Sequence, residues 1–268
     1  MDTKELLNRF KLTRSNWLQA TNTEEDECSI LIQKISKSFE NEERIKSIKK
    51  QYVSLSNLLN KGLITDDANE YFIPEELIAV IIFDRFVNDF QAVSDPGEKI
   101  SFLNEFHRKL LRIELESKYL SIFLIELDNR NNGLINSLVK ESIRSNDVFS
   151  FYHRFCDTIP YIDIKDLDKL LEIIIILKEK TSNDLSNGLI NQAIRRRIKE
   201  HKNEGILLFD LIRNKEKGYE FLGDVLNEIF VDDRVKGVKK INEVFSSGNN
   251  NEIRAGLGCL GVCRTFRI

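Results

Sequence analysis

The chain predicts an all-α fold of stacked antiparallel helical hairpins, on three observations. Apolar residues recur at helical spacing over nearly the whole of its 268 residues. Its 12 Gly and 3 Pro are about half of the roughly 12% that globular chains average, which excludes a turn-dense β-sandwich or barrel. The stops between apolar stretches are short Gly, Asn or Pro turns, and short connections force neighbouring helices to run antiparallel. With 41% apolar and 31% charged residues, the make-up is that of a folded chain.

In chain order, the acidic run Glu24 to Glu27 suits the positive end of a helix dipole, and Cys28, Leu31, Ile35 and Phe39 form the stripe that follows. The spacing predicts a further helix after Asn41 as N-cap. Glu42 and Glu43 would sit in its first turn, and Ile45, Ile48, Tyr52, Leu55 and Leu59 would face one way up to Gly62. Pro74, at a first helical position before Glu75 and Glu76, opens a helix in which Leu77, Val80, Ile81 and Val87 mix with Phe83, Phe86 and Phe90. More than one face is apolar, so this helix is expected at the centre of a core.

Ser94-Asp95-Pro96-Gly97 restarts the chain into 99–127, one long helix or two with a kink. The turn Asn129 to Gly133 is the candidate boundary between an N-terminal helical region, 1–128, and a C-terminal hairpin region, 129–268. Five residues also suit an ordinary helix connection, so one continuous domain stays open. Eight helices are expected beyond it, at 134–145, 147–157, 165–181, 184–202, 204–215, 219–230, 233–245 and 251–264. The repeated Asn-Gly-Leu-Ile-Asn at 132–136 and 187–191 reads as a turn glycine followed by an apolar helix face.

Net charge is 40 minus 43, or −3, which argues against a surface built as a whole for nucleic acid or anionic lipid. The longest apolar runs, Leu77 to Phe83 and Ile173 to Leu177, are far short of a membrane span, and the start MDTKELLNRF lacks a signal pattern. Four cysteines (Cys28, Cys156, Cys259, Cys263) suit reduced thiols, so the expected location is the cytoplasm, or the nucleus of a eukaryote. No metal or cofactor is implied. Cys259 and Cys263 share a helical face but lack the further ligands that zinc requires. The residues three before His107, His153 and His201 are Asn104, Ser150 and Ile198, which excludes the Glu-x-x-His pairs of carboxylate-bridged bundles. Gly256-x-Gly258-x-x-Gly261 has no strand before it and too little chain after it for dinucleotide binding, so it reads as close helix packing. Phe149, Phe151, Tyr152 and Phe155 around His153 read as core, and Lys236, Lys239 and Lys240 as a solvated face.

Between Val235 and Cys263 an amphipathic helix (Val238, Ile241, Phe245) is followed by a Gly-Asn turn and a second helix opening Asn251-Glu252-Ile253-Arg254. This segment resembles one HEAT-type unit, with Ile253, Arg254, Leu257, Leu260 and Gly261 at the places of the β-branched, Arg, Leu and Leu-Gly positions. The resemblance implies an α-solenoid toward the C-terminus that presents a surface to a partner. Apolar Leu257, Leu260, Val262 and Phe266 are the expected contacts, either with another protein or in self-association.

One stretch suggests anion binding. Arg195, Arg196, Arg197, Lys199 and Lys202 lie within eight residues, and Arg195, Lys199 and Lys202 share a helix face that would suit a phosphate backbone. Arg196-x4-His201 and Arg195-x5-His201 also resemble the Arg-x4-6-His motif of HEPN-type ribonucleases, although the residue after the Arg is here Arg197 or Arg196 instead of a polar Asn, Asp or His. That resemblance implies metal-independent RNA cleavage, with Arg196 stabilising the phosphate and His201 acting as acid or base. In the absence of any other catalytic pattern, the leading expectation is a non-enzymatic scaffold or adaptor. The ribonuclease and a plain nucleic-acid binder using 195–202 are the alternatives.

Overall fold

The computed structural model describes residues 2–50, 53–116, 118–130, 134–144, 148–162, 166–180 and 184–263. The side chains of 143, 148–151, 180, 184–187 and 261–263 lie outside that description. Among the described residues the protein is mostly α-helical, with fourteen helices and one three-stranded sheet. No helix among them is long and apolar enough to cross a membrane. The chain forms two compact units, Met1–Leu127 and Asp128–Ile268.

The first unit contains α1 (Thr3–Thr21), α2 (Glu25–Glu40), β1 (Ser47–Lys49), α3 (Ser56–Asn60), β2 (Thr65–Asp67), β3 (Glu70–Phe72), α4 (Glu75–Ala92), α5 (Pro96–Arg112) and most of α6 (Lys118–Arg130). Its hub is α4, as its all-round apolar pattern predicts: it buries 11 of 18 residues, and α1 and α2 pack against it. Phe86 lies 4.7 Å from Phe106 and 5.4 Å from Phe123, and Phe83 meets Phe10 edge-on at 5.5 Å. Such ring pairs add about 0.5–1.5 kcal/mol each beyond the area they bury. The stretch 99–127 resolves into α5 and α6, broken where Glu114 takes a left-handed backbone (φ 58°).

The helix expected after Asn41 is not formed over that length. Asn41 ends α2 by donating its N–H to Lys37 O, and Glu42 (φ 58°) turns the chain away. Ile48 instead faces the core from β1, which pairs antiparallel with β3, while β2 pairs with the other edge of β3. Among the described residues of 41–62, only 56–60 are α-helical. Ile45, Ile48 and Tyr52 fit helical spacing, but Ile48 between half-buried Ser47 and exposed Lys49 fits the two-residue period of a strand. Cross-strand bonds from Ser47 to Glu70 and from Lys50 to Asp66 accompany that pairing.

The second unit contains α7 (Leu134–Arg144), α8 (Val148–Thr158), α9 (Leu167–Lys180), α10 (Asp184–Glu200), α11 (Glu204–Lys215), α12 (Tyr219–Asp232), α13 (Arg234–Ser246) and α14 (Asn250–Cys263), all eight helices expected. Two local readings change. Asn129 and Arg130 belong to α6 and not to a turn, and Gly188 lies inside α10 and not at its cap; Asn132 and Gly133 lie outside the described residues. Neighbours pair as α7 with α8, α9 with α10, α11 with α12 and α13 with α14. Every second helix also packs on the next, in the series α8, α10, α12, α14 and α7, α9, α11. At Gly237 the two backbones come so close that a methyl group would lie 2.7 Å from Phe230 Cβ, so α13 crosses α12 there only because the residue is glycine.

Candidate functional site

The cations of the sequence's basic helix are brought to different places. Arg197 is 2% exposed. Its Nε and Nη2 hold the two oxygens of Glu204 at 2.7 and 2.8 Å, and Nη1 donates to the carbonyls of Ile159, at 3.3 Å, and Ile162. The bend at His201 to Asn203 makes this possible, because it carries Glu204, in the first turn of α11, back to Arg197. His201 meets the same Glu204 through Nδ1 (3.6 Å), while its Nε2 lies 3.3 Å from Pro160 O. Arg196 is exposed, with no ion pair among the described residues. Five positions from His201, it would stand about 140° around a helix axis from it.

The shared face of Arg195, Lys199 and Lys202 is real, but each of these cations holds a carboxylate of α12. Arg195 Nε reaches Asp224 Oδ1 at 2.9 Å, Lys199 reaches Glu228 at 3.7 Å and Lys202 reaches Asp232 at 3.1 Å. The acids are spaced by four residues and the cations by four and then three, both about one helical turn, so the ridge is a seam between two helices. Burial pushes the Glu228 carboxyl above the usual range, against the opposing pull of Lys199 and Arg195. Lys240, expected to be solvated, is instead half-buried between Asp210 (2.9 Å) and Glu243 (3.1 Å), with its Nζ over the Phe209 ring.

Next to the Arg195–Asp224 end of this seam, a groove of about 710 Å³ runs along α12 and α14. Small residues Gly223, Ala255 and Gly258 line it, together with polar Arg195, Asp224, Asn227 and Arg254 and the carboxylates of Glu216 and Glu220. The predicted small-residue packing of α14 is divided by face. Gly256 lies against Val244 and Phe245, whereas Gly258 meets nothing within 4 Å, and the Gly261 side of the helix lies outside the described residues. Asn227 and Asp224 escape a reading of the sequence because polar residues within an amphipathic helix read as its solvated face; a local hint is Gly223 beside them.

The predicted partner residues Leu257 and Leu260 are exposed, and so are Val235, Val238 and Phe245 on α13. The side chain of Val262, and Phe266 altogether, lie outside the described residues. Tyr152 and Phe155 are buried and His153 is exposed, while the side chains of Phe149 and Phe151 lie outside the description. Cys259 is buried. Set against known proteins, the chain matches no family model, no curated protein and no solved structure.

Proposed function

We propose that the chain is a non-enzymatic interaction protein that docks onto another protein through the apolar face of its terminal hairpin, α13–α14. The observation that carries this reading is that Val235, Val238, Phe245, Leu257 and Leu260 are 37% to 81% exposed on two consecutive helices. Single exposed apolar residues are ordinary, whereas a group of five on one hairpin costs solubility unless something covers it. We also read this hairpin as HEAT-like, one unit of a helical stack. The packing of every second helix on the next supports that reading, since stacked repeats touch mainly their neighbours.

Nucleic-acid binding along 195–202, or RNA cleavage by Arg196 and His201, draws less support. Arg195, Arg197, Lys199 and Lys202 are each engaged with a carboxylate, which leaves Arg196 to meet a phosphate alone.

The test is affinity capture of the tagged chain from its own cells, with and without added nuclease, beside the variant Leu257→Ser/Leu260→Ser. A stoichiometric protein that survives nuclease and is lost from the variant is the expected result. Capture that the variant retains, or companions that disappear on digestion, would overturn the proposal. A wild-type dimer that the variant dissolves, seen by light scattering, would replace the foreign partner by a second copy.

A further inference from the structure

The geometry points to the groove between α12 and α14 as a second binding site, which takes an extended peptide segment carrying an acidic side chain. This site is independent of the apolar hairpin face. Its central feature is Asn227, which is only 8% exposed and lines the groove while its carboxamide makes no hydrogen bond among the described residues. Its amide atoms are not sealed from solvent, so they open onto the groove, where a ligand can take over the hydrogen bonds that water otherwise makes. A carboxamide offers one acceptor and two donors side by side, which matches the N–H and C=O edge of a peptide unit.

The second feature is Arg254, which lines the same groove and makes no ion pair among the described residues, unlike Arg195 across from it, which is held by Asp224. A guanidinium with a free fork is a carboxylate receptor. The two helices run in the same direction: Tyr219 Oη accepts from Asn249 where they begin, and Gly223 meets Ala255 further along. Arg254 therefore stands level with Gly223, and Asn227 one turn further on. One turn is about 5.4 Å, and an extended chain rises about 3.3 Å per residue. An acidic side chain on Arg254 thus brings a peptide bond one or two residues away to Asn227.

Gly223 lets α12 approach Ala255 closely, Gly258 leaves open space beside that contact, and about 710 Å³ falls within the usual range of roughly 300–1,000 Å³ for ligand sites. Glu216 at the end of α11 and Glu220 in the first turn of α12, together with Asp224, give the groove three carboxylates against two guanidinium groups. That balance disfavours a nucleic acid or a polyphosphate; with Arg195 held by Asp224, Arg254 alone is left to take a carboxylate, so the ligand carries one negative side chain and no more.

The probe is an immobilised library of randomised heptapeptides, acetylated at one end and amidated at the other, presented to the full chain. The expected binders share one Asp or Glu at a fixed position. Their affinity falls at least tenfold in Asn227→Ala and in Gly258→Phe, which fills the groove from a position with nothing within 4 Å. Arg254→Glu exchanges the acidic preference for a basic one, a gain that misfolding does not produce. Leu257→Ser/Leu260→Ser leaves binding unchanged, so failure of the hairpin proposal and failure of this one are separable. The inference is overturned if no capped peptide binds, if Gly258→Phe binds as tightly as the parent, or if only peptides with a free terminal carboxylate are retained.

Discussion

Replacing Arg197 by methionine removes a fully buried charge that four acceptors surround, and the magnitude follows from what is left behind. Glu204 loses both of its guanidinium hydrogen bonds, and the carbonyls of Ile159 and Ile162 lose the donor that ties 159–162 to α10. Breaking a buried pair on one side costs about 3–5 kcal/mol, because the partner stays charged without compensation. Glu204 is 20% exposed, so water softens the penalty, and a loss of about 3 kcal/mol is expected from R197M. R197K keeps the charge but not the planar fork, and should still lose about 2 kcal/mol. Urea unfolding followed by far-UV circular dichroism reads this as a lower midpoint at unchanged slope. The double variant R197M/E204L removes both charges and should recover most of the loss. Exposed Arg196→Ala is the control, expected within about 0.5 kcal/mol of the parent. If R197M behaves like R196A, Arg197 is not the internal clamp described here.

Three further outcomes follow from the packing and the titratable groups. The raised pKa of Glu228 means that its favourable contribution is complete below the ordinary glutamate value of about 4.3 and is lost as pH rises through the folded value. Glu228→Gln should therefore raise the melting temperature at pH 7, with a gain that fades toward pH 4; a gain equal at both pH values would refute the cause. Burial pushes the thiol of Cys28 up to about 11 and that of Cys156 up to about 12, so at pH 8 neither should react with a thiol reagent until urea unfolds the chain; prompt labelling of either in the native protein would contradict this burial. Gly237→Ala forces a methyl group onto Phe230 and should cost about 1–3 kcal/mol, whereas Gly258→Ala, in open space inside a helix, should gain about 0.5 kcal/mol; equal effects in urea unfolding would refute the assigned crossing point.

How much of this was legible in the sequence depends on whether the deciding interactions are local. The helices beyond residue 133 are legible because each carries its own apolar stripe between polar or glycine turns. The segment 41–73 is not, because what settles Ile48 is its pairing with Tyr71, and no local pattern announces a partner 23 residues away. The same limit hides the role of Arg197. A run of cations looks like a solvated ridge, while the Glu204 carboxylate and the 159–162 carbonyls that engage it arrive through a chain reversal and a separate hairpin. The exposure of Leu257 and Leu260 is what the proposed docking face rests on; the α12 side of the groove is illegible, because Asp224 and Asn227 read as part of a solvated helix face.

The two proposed surfaces meet on α14, and helix geometry separates them. Successive residues point about 100° apart, so Leu257 and Gly258, neighbours in the chain, face the hairpin's apolar side and the groove respectively, while Gly256 packs on α13. A substitution at Gly256 would move α14 against Val244 and Phe245 and so disturb both surfaces together. Leu257→Ser and Gly258→Phe should instead each remove one function and spare the other. If both activities were lost in both variants, α14 would be acting as a folding element and neither face could be counted as a binding site.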